Sequence, residues 1–301
     1  MRAAPVLLLG LLLLSPAMAG GQAPPADGPL QEALARNLDA ALARVAASVD
    51  GVVGYVVTDL TTQKAVAAHL EHEPFPTASA IKLSILYEML RQAEAGAIQL
   101  DTPTPVDRTR LVGGSGVLQH LGTPSLSLRD HATLMIAVSD NSSTNVVITA
   151  VGMERVNARM DALGLRDIRL RRLMMDAEAV ARGDENVASP ASLARMAELL
   201  WKGDGLRPES REAALGMLKL VSGSIRAAVP GTVPVFSKTG SLSGVRSEAA
   251  VVAVDGRPFS IAVMTTYLAR DDEGSRAIRE MASAAYGYFD RLSRGGAYGR
   301  K

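Results

Sequence analysis

The chain has 301 residues, 48% of them hydrophobic, with a formal net charge of +1. That length can bury the core of one large domain or two interleaved ones, and the balanced charge excludes a partner held by bulk electrostatics, such as nucleic acid or an anionic membrane. There is no cysteine, so neither a disulfide nor a lipidated cysteine contributes, and the core alone must hold the fold.

In chain order, residues 1–19 read as a signal peptide. Arg2 is a short basic start, 6–14 is an apolar run too short to span a bilayer, and Ala17-Met18-Ala19 offers an A-x-A cleavage site before Gly20. The mature protein is expected to be secreted or periplasmic, with no later run long enough to anchor it in a membrane. Residues 20–28, rich in Pro, Gly and Ala, form a flexible lead-in. Leu30, Leu34, Leu38, Leu42 and Val45 recur at helical spacing and predict a helix over 29–48. Strands are expected at 52–58 and 64–70. The next helix, ending at Gly96, carries Ile81, Leu83, Ile85, Leu86, Met89 and Leu90, so it is apolar on most sides and is expected in the middle of a domain.

From 99 to 204 the pattern is helical, without a convincing strand. Ser127 with Asp130 forms a capping box opening a helix over 128–138, and further helices are expected at 145–152, 155–163 and 189–201. Gly113-Gly114-Ser115-Gly116 reads as a flexible turn, matching no phosphate-loop spacing. Strands return at 233–238, 247–254 and 259–268, and a helix over 275–292 closes the chain. Strands near both ends with a helical middle imply a sheet domain built from 29–74 and 215–295, beside an all-helical domain over 75–214. A functional site is expected in the cleft between them.

Two residues do not fit a buried apolar helix. Ser79 and Lys82 stand three apart on its first turn and so share a face. A buried amine is costly and its pKa is readily depressed, which places a base beside a hydroxyl. The helix start adds free N–H groups where an oxyanion would form. Two other clusters carry polar chemistry. Ser139-Asp140-Asn141 follows an apolar helix and offers a hydroxyl and an amide, and Lys238-Thr239-Gly240-Ser241 is expected to end a strand and begin a turn, presenting a cation and hydroxyls for a carboxylate. Each cluster alone is also ordinary cap or turn chemistry. Ser-x-x-Lys, Ser-Asp-Asn and Lys-Thr-Gly, in that order behind a signal peptide, are not.

In these motifs the sequence resembles the penicillin-recognising serine hydrolases, and within them the class A β-lactamases, over nearly the whole mature chain. The resemblance implies an α/β fold with an antiparallel five-stranded sheet flanked by helices, plus an all-helical domain. It implies a β-lactam or a peptidoglycan stem peptide as partner, no metal and no organic cofactor, and a monomer. On matching positions, Ser79 would be acylated with Lys82 as its base, and the backbone N–H groups of Ser79 and Ser241 would hold the oxyanion. Ser139 would pass a proton to the departing ring nitrogen. Asn141 would hold the acyl amide, while Lys238 and Thr239 would bind the substrate carboxylate and Gly240 would let the substrate lie close to the backbone. Arg246 either strengthens that anion site or is a surface arginine.

One expected part is missing. Class A enzymes carry a glutamate, followed four residues later by an asparagine, on the loop before the helix at 189–201, and no Glu-x-x-x-Asn occurs there. Asp176 and Glu178 are the nearby carboxylates. That glutamate is the accepted base for deacylation, so its absence keeps a D,D-peptidase or slowly deacylating penicillin-binding protein as the alternative, and a non-catalytic penicillin receptor as a third reading. His69 and His72, beside Glu71 and Glu73, alternate faces at a strand end and make a poor chelate. His120 and His131 lack an acid at a recognisable spacing for a Ser-His pair, and Met174-Met175 reads as packing.

Overall fold

The computed structural model describes residues 28–296 and 299; the signal and cleavage residues lie outside them. Helix α1 (Pro29–Ala47) leads into β1 (Val52–Asp59) and β2 (Lys64–His69), then the two-residue strand β3 (Phe75–Pro76) and a 3-10 turn, Ala78–Ile81, that runs into α2 (Lys82–Glu94). The helical middle contains β4 (Thr104–Pro105), β5 (Ser125–Leu126), α3 (Leu128–Ala137), α4 (Asn141–Val151), α5 (Met153–Ala162), α6 (Ala177–Ala181), β6 (Val187–Ala188) and α7 (Pro190–Lys202). After α8 (Pro208–Lys219) and α9 (Ser224–Ala228), β7 (Val235–Leu242), β8 (Val245–Val252) and β9 (Phe259–Thr266) return to the sheet, and α10 (Asp271–Arg294) closes the chain.

The main sheet has five antiparallel strands in the order β2-β1-β9-β8-β7. It is covered on both faces, and the period of two along each strand sorts the side chains. Val56, Ala249, Val251, Ala262 and Met264 join the core of α2, α3, α4 and α7, whereas Tyr55, Val57, Ala250, Val252, Ile261 and Val263 join the core under α1 and α10. In the second core Phe289 stacks on Phe259 with ring centroids 4.4 Å apart. Burial of a side chain of this size contributes about 1.5–3 kcal/mol.

The expected helices and long strands are present, with four corrections. Ser79 lies in a 3-10 turn rather than in the α-helix proper, which begins at Lys82. The helical stretch does contain strands, but only two-residue pairs: β4 with β5, and β6 with β3. Pairs that short carry no periodicity for a sequence to display. Helices α6, α8 and α9 were not expected. Finally, the last cluster is not a turn. Lys238 to Ser241 continues β7, with Gly240 opposite Ser247 and Ser241 opposite Arg246, and the chain reverses after Leu242. Ladder pairing with β8 overrides the turn preference of Thr-Gly-Ser.

Candidate active site

The 3-10 turn places residues three apart directly above one another, so Ser79 and Lys82 share one face. Ala78, Ala80 and Ile81 are buried and Ser79 is left half-exposed. The turn is pinned from two directions. Thr77 donates its N–H (2.9 Å) and its hydroxyl (3.0 Å) to the carbonyl of Asn186, and its own carbonyl accepts the Ser247 hydroxyl at 2.6 Å. Ala78 is held at φ +46°, a conformation that costs a non-glycine residue about 1–3 kcal/mol and persists where surrounding bonds enforce it.

The three clusters converge. Lys82 Nζ donates to the Ser139 carbonyl (2.8 Å), to Ser139 Oγ (3.1 Å) and to Asn141 Oδ1 (3.2 Å). Lys238 Nζ donates to the same Ser139 Oγ at 3.2 Å and to the Thr239 carbonyl at 3.0 Å. Ser139 is therefore shared by two amines, and its backbone at φ +57° aims it there. A hydroxyl accepting twice keeps its own proton free to donate. None of the bonds of Lys82 goes to Ser79 Oγ, so the amine must release one partner to take the Ser79 proton.

Both amines are almost fully buried. Burial pushes Lys82 well below the ordinary lysine value and the Lys238 cation pushes it further, with Asp140 opposing. Lys238 is lowered to about 8, again by burial, with Glu248 opposing. Two like charges meeting at one hydroxyl cannot both be cheaply protonated, so the neutral amine required of a base is accessible.

Asp140 was read as turn chemistry, yet it is 1% exposed. Its Oδ2 accepts the N–H groups of Val117 and Leu118 at 2.7 Å each, and Oδ1 accepts Ser143 N–H at 2.8 Å as the cap of α4. A Cβ on Gly116 would stand 2.2 Å from Asp140 Oδ2, so only glycine allows this approach. The Gly113 carbonyl accepts Asn141 Nδ2, and the Ser115 carbonyl accepts Asn141 N–H. The glycine-rich segment is thus a fixed wall of the site and not a flexible turn. Asp140→Asn is expected to lower stability by about 1–3 kcal/mol, because an amide nitrogen would then face backbone donors; thermal unfolding measures this.

On β7, Thr239 is half-buried, Gly240 buried and Ser241 exposed at the cleft. Gly240 has a packing role of its own. A Cβ there would lie 2.3 Å from both the Thr77 carbonyl and Ser247 Oγ and 3.0 Å from Ala80 N. The glycine lets the strand press against the Ser79 turn. Arg246 pairs with Asp271 at 3.1 Å and donates to the carbonyls of Leu242 and Val245, so it is a bound and largely covered arginine beside Ser241.

The loop before α7 closes through Arg172, which is buried and paired with Glu185 at 2.7 Å, and through Asn186, whose Oδ1 accepts the N–H groups of Arg171 and Arg172. Asp176 caps Ala179 N–H, and Glu178 is exposed. The loop side chain set against the site wall is the exposed Met175, whose Sδ lies 3.2 Å from where a Cβ on Gly114 would stand, beside Asn141 Nδ2. Asn145, one turn beyond Asn141 and so on its face, clamps the Met174 backbone by donating to its carbonyl (3.1 Å) and accepting its N–H (2.8 Å). The Met174 side chain is buried in the helical core. Sequence reasoning missed Asn145, Asn186 and Glu248; a lone glutamate in the apolar run of β8 was the one signal of the three visible in advance. Of the histidines, His131 is buried against Ser143 Oγ at 3.1 Å, His69 packs beside Tyr55, and His72 lies at the surface near Glu71.

Comparison with known proteins agrees with this geometry. The chain is 28% identical over 243 residues to the carbapenem-hydrolyzing β-lactamase KPC of Klebsiella oxytoca, covering 78% of this chain and 82% of that protein. It is 29% identical over 251 residues to β-lactamase L2 of Stenotrophomonas maltophilia, covering 81% of each. The β-lactamase from Sphaerobacter thermophilus superposes with a TM-score of 0.78 at 30% identity, over 85% of this chain and 97% of that one. The structure of PBP-A superposes with a TM-score of 0.77 at 23% identity, over 85% and 97%, a likeness of fold. The model of the β-lactamase enzyme family matches residues 37–289, and the chain belongs to that family.

Proposed function

We propose that the protein is an exported serine hydrolase that opens the β-lactam ring through an acyl-enzyme on Ser79. The observation that carries this reading is the meeting of Lys82 and Lys238 at Ser139 Oγ, with Asn141 Oδ1 also accepting from Lys82, one turn of helix from the half-exposed Ser79. Ser79 Oγ bonds to the lactam carbonyl carbon as its proton passes to neutral Lys82. The ring C–N bond then breaks, and the nitrogen takes a proton through Ser139. The N–H groups of Ser79 and Ser241 hold the oxyanion, at a site where preorganised donors contribute about 10²–10³ in rate each. Asn141 holds the acyl side-chain amide, and Lys238 with Thr239 binds the substrate carboxylate. Water then cleaves the ester and restores Ser79. No helix of the described residues is long and apolar enough to cross a membrane.

A second reading is favoured by one observation: the loop sets the exposed Met175 against Gly114 at the site wall, while its carboxylates cap a helix, pair with Arg172 or face solvent. A D,D-peptidase acting on D-Ala-D-Ala stems would share the acylation machinery and differ in this last step. Steady multiple turnover of a chromogenic cephalosporin, lost in Ser79→Ala, is the expected result. One equivalent of product followed by silence, with D-alanine released from a stem-peptide analogue, would transfer the assignment to the peptidase.

A further inference from the structure

Strand β8 is buried almost throughout and carries one acid, Glu248, at 1% exposure. It stands opposite Thr239 in the ladder. Its carboxyl accepts Ser224 N–H at 2.8 Å and lies 3.3 Å from Ile225 N. A Cβ on Gly223 would fall 2.1 Å from Glu248 Oε1 and 2.8 Å from the Thr239 methyl, so the chain closes over the acid through glycine. The same acid lines a recess of about 370 Å³ with Ser224, Thr239, Ser241 and Arg246, which Arg279 of α10 also reaches.

That recess holds Thr239, one of the two groups assigned above to the substrate carboxylate, next in the chain to Lys238, together with a carboxyl that would repel that anion if ionised. We propose that Glu248 is a positioning residue whose neutral form the anion site requires, so that the site accepts its anionic substrate only while a proton is held on Glu248. The inference rests on the reading of Lys238 and Thr239 as the carboxylate-binding pair.

The charged groups around Glu248 can be named from each side. Lys238 faces it from β7, Arg246 from its own strand and Arg279 from α10. The Arg246 charge is offset by Asp271, and Arg226 of α9 turns to the carbonyls of Val229, Pro230 and Val233. Burial raises Glu248 to about 7, opposed first by the backbone N–H groups of Ile225 and Ser224 and then by Lys238. Both forms are therefore populated near neutrality. A carboxyl present only to anchor α9 would titrate all the same, but its titration would leave the rate of labelling by an anionic substrate unchanged.

The test is the rate at which a fluorescent penicillin labels Ser79 between pH 5.5 and 8.5, in the full chain and in Glu248→Gln, which keeps the acceptor oxygen for the backbone N–H groups. The neutral fraction falls about tenfold per pH unit above the midpoint. The variant should therefore label about tenfold faster than wild type at pH 8, each normalised to its own rate at pH 6. An identical falling limb in both proteins overturns the proposal. Failure of wild type to label at any pH sinks the reading of the site and this proposal with it.

Melting temperature gives a readout independent of any β-lactam. An acid whose folded pKa is raised loses its relative stabilisation as pH climbs from the unfolded value toward 7, so wild type should lose stability across that window and Glu248→Gln should lose less. Equal slopes overturn the proposal. Should the variant not fold, wild type carrying carbon-13 at the glutamate δ-position must show one carboxyl titrating near pH 7; midpoints all below pH 5.5 overturn it as well.

Discussion

Lys82→Met is expected to slow acylation of Ser79 by about 10²–10⁴-fold, the range of a positioned general base, while changing stability by no more than about 1–2 kcal/mol. Two opposing terms set the second figure. Methionine removes an amine that is fully buried, has no carboxylate within salt-bridge distance, and lies beside a second buried cation. Against this, the Ser139 carbonyl and Asn141 Oδ1 each lose a donor. Ser139 Oγ keeps Lys238, and the half-exposed cleft lets water replace what is missing. Labelling kinetics followed by mass spectrometry, alongside thermal unfolding, separates the terms. An unfolded variant would make the lysine a structural element and remove the base from the mechanism.

Gly240→Ala is expected to lower kcat/KM by about 10²-fold or more and stability by about 1–3 kcal/mol. No backbone strain is involved, since Gly240 is not among the positive-φ residues; the effect is collision. Two oxygens stand 2.3 Å from where the methyl must go, one of them the Thr77 carbonyl two residues before Ser79. Strand β7 must retreat from the Ser79 turn by about 1 Å to restore van der Waals contact, a displacement that on its own costs about 10² in rate. The N–H groups of Ser79 and Ser241, proposed above to hold the oxyanion, would then be shifted relative to one another. Gly216→Ala is the control: that glycine lies on α8 with nothing within 4 Å of its missing Cβ, and alanine should stabilise the helix by about 0.5–1 kcal/mol.

Much of the architecture was legible because its causes are local. The capping box at Ser127 and Asp130 was read from two residues and is present with both reciprocal bonds. The five long strands and the flanking helices follow from periods of 2 and 3.6. What misled the reading was competition between levels. Thr239-Gly240-Ser241 has turn composition, yet pairing with β8 holds it in a strand. Gly113 to Gly116 has the composition of a loose loop, yet a carboxylate more than twenty residues later fixes it.

By itself the sequence determined which reactive groups exist and which helices and long strands lie nearest them, because caps, strand runs and spacings are set by near neighbours. Only the tertiary structure decided their state. It buried Lys82 and Lys238 around one hydroxyl and by that burial depressed both amines, set Glu248 behind Thr239, and laid Met175 rather than a carboxylate against the site wall. Burial and Coulomb coupling arise between segments distant in the chain, and no local pattern encodes how closely such segments will approach.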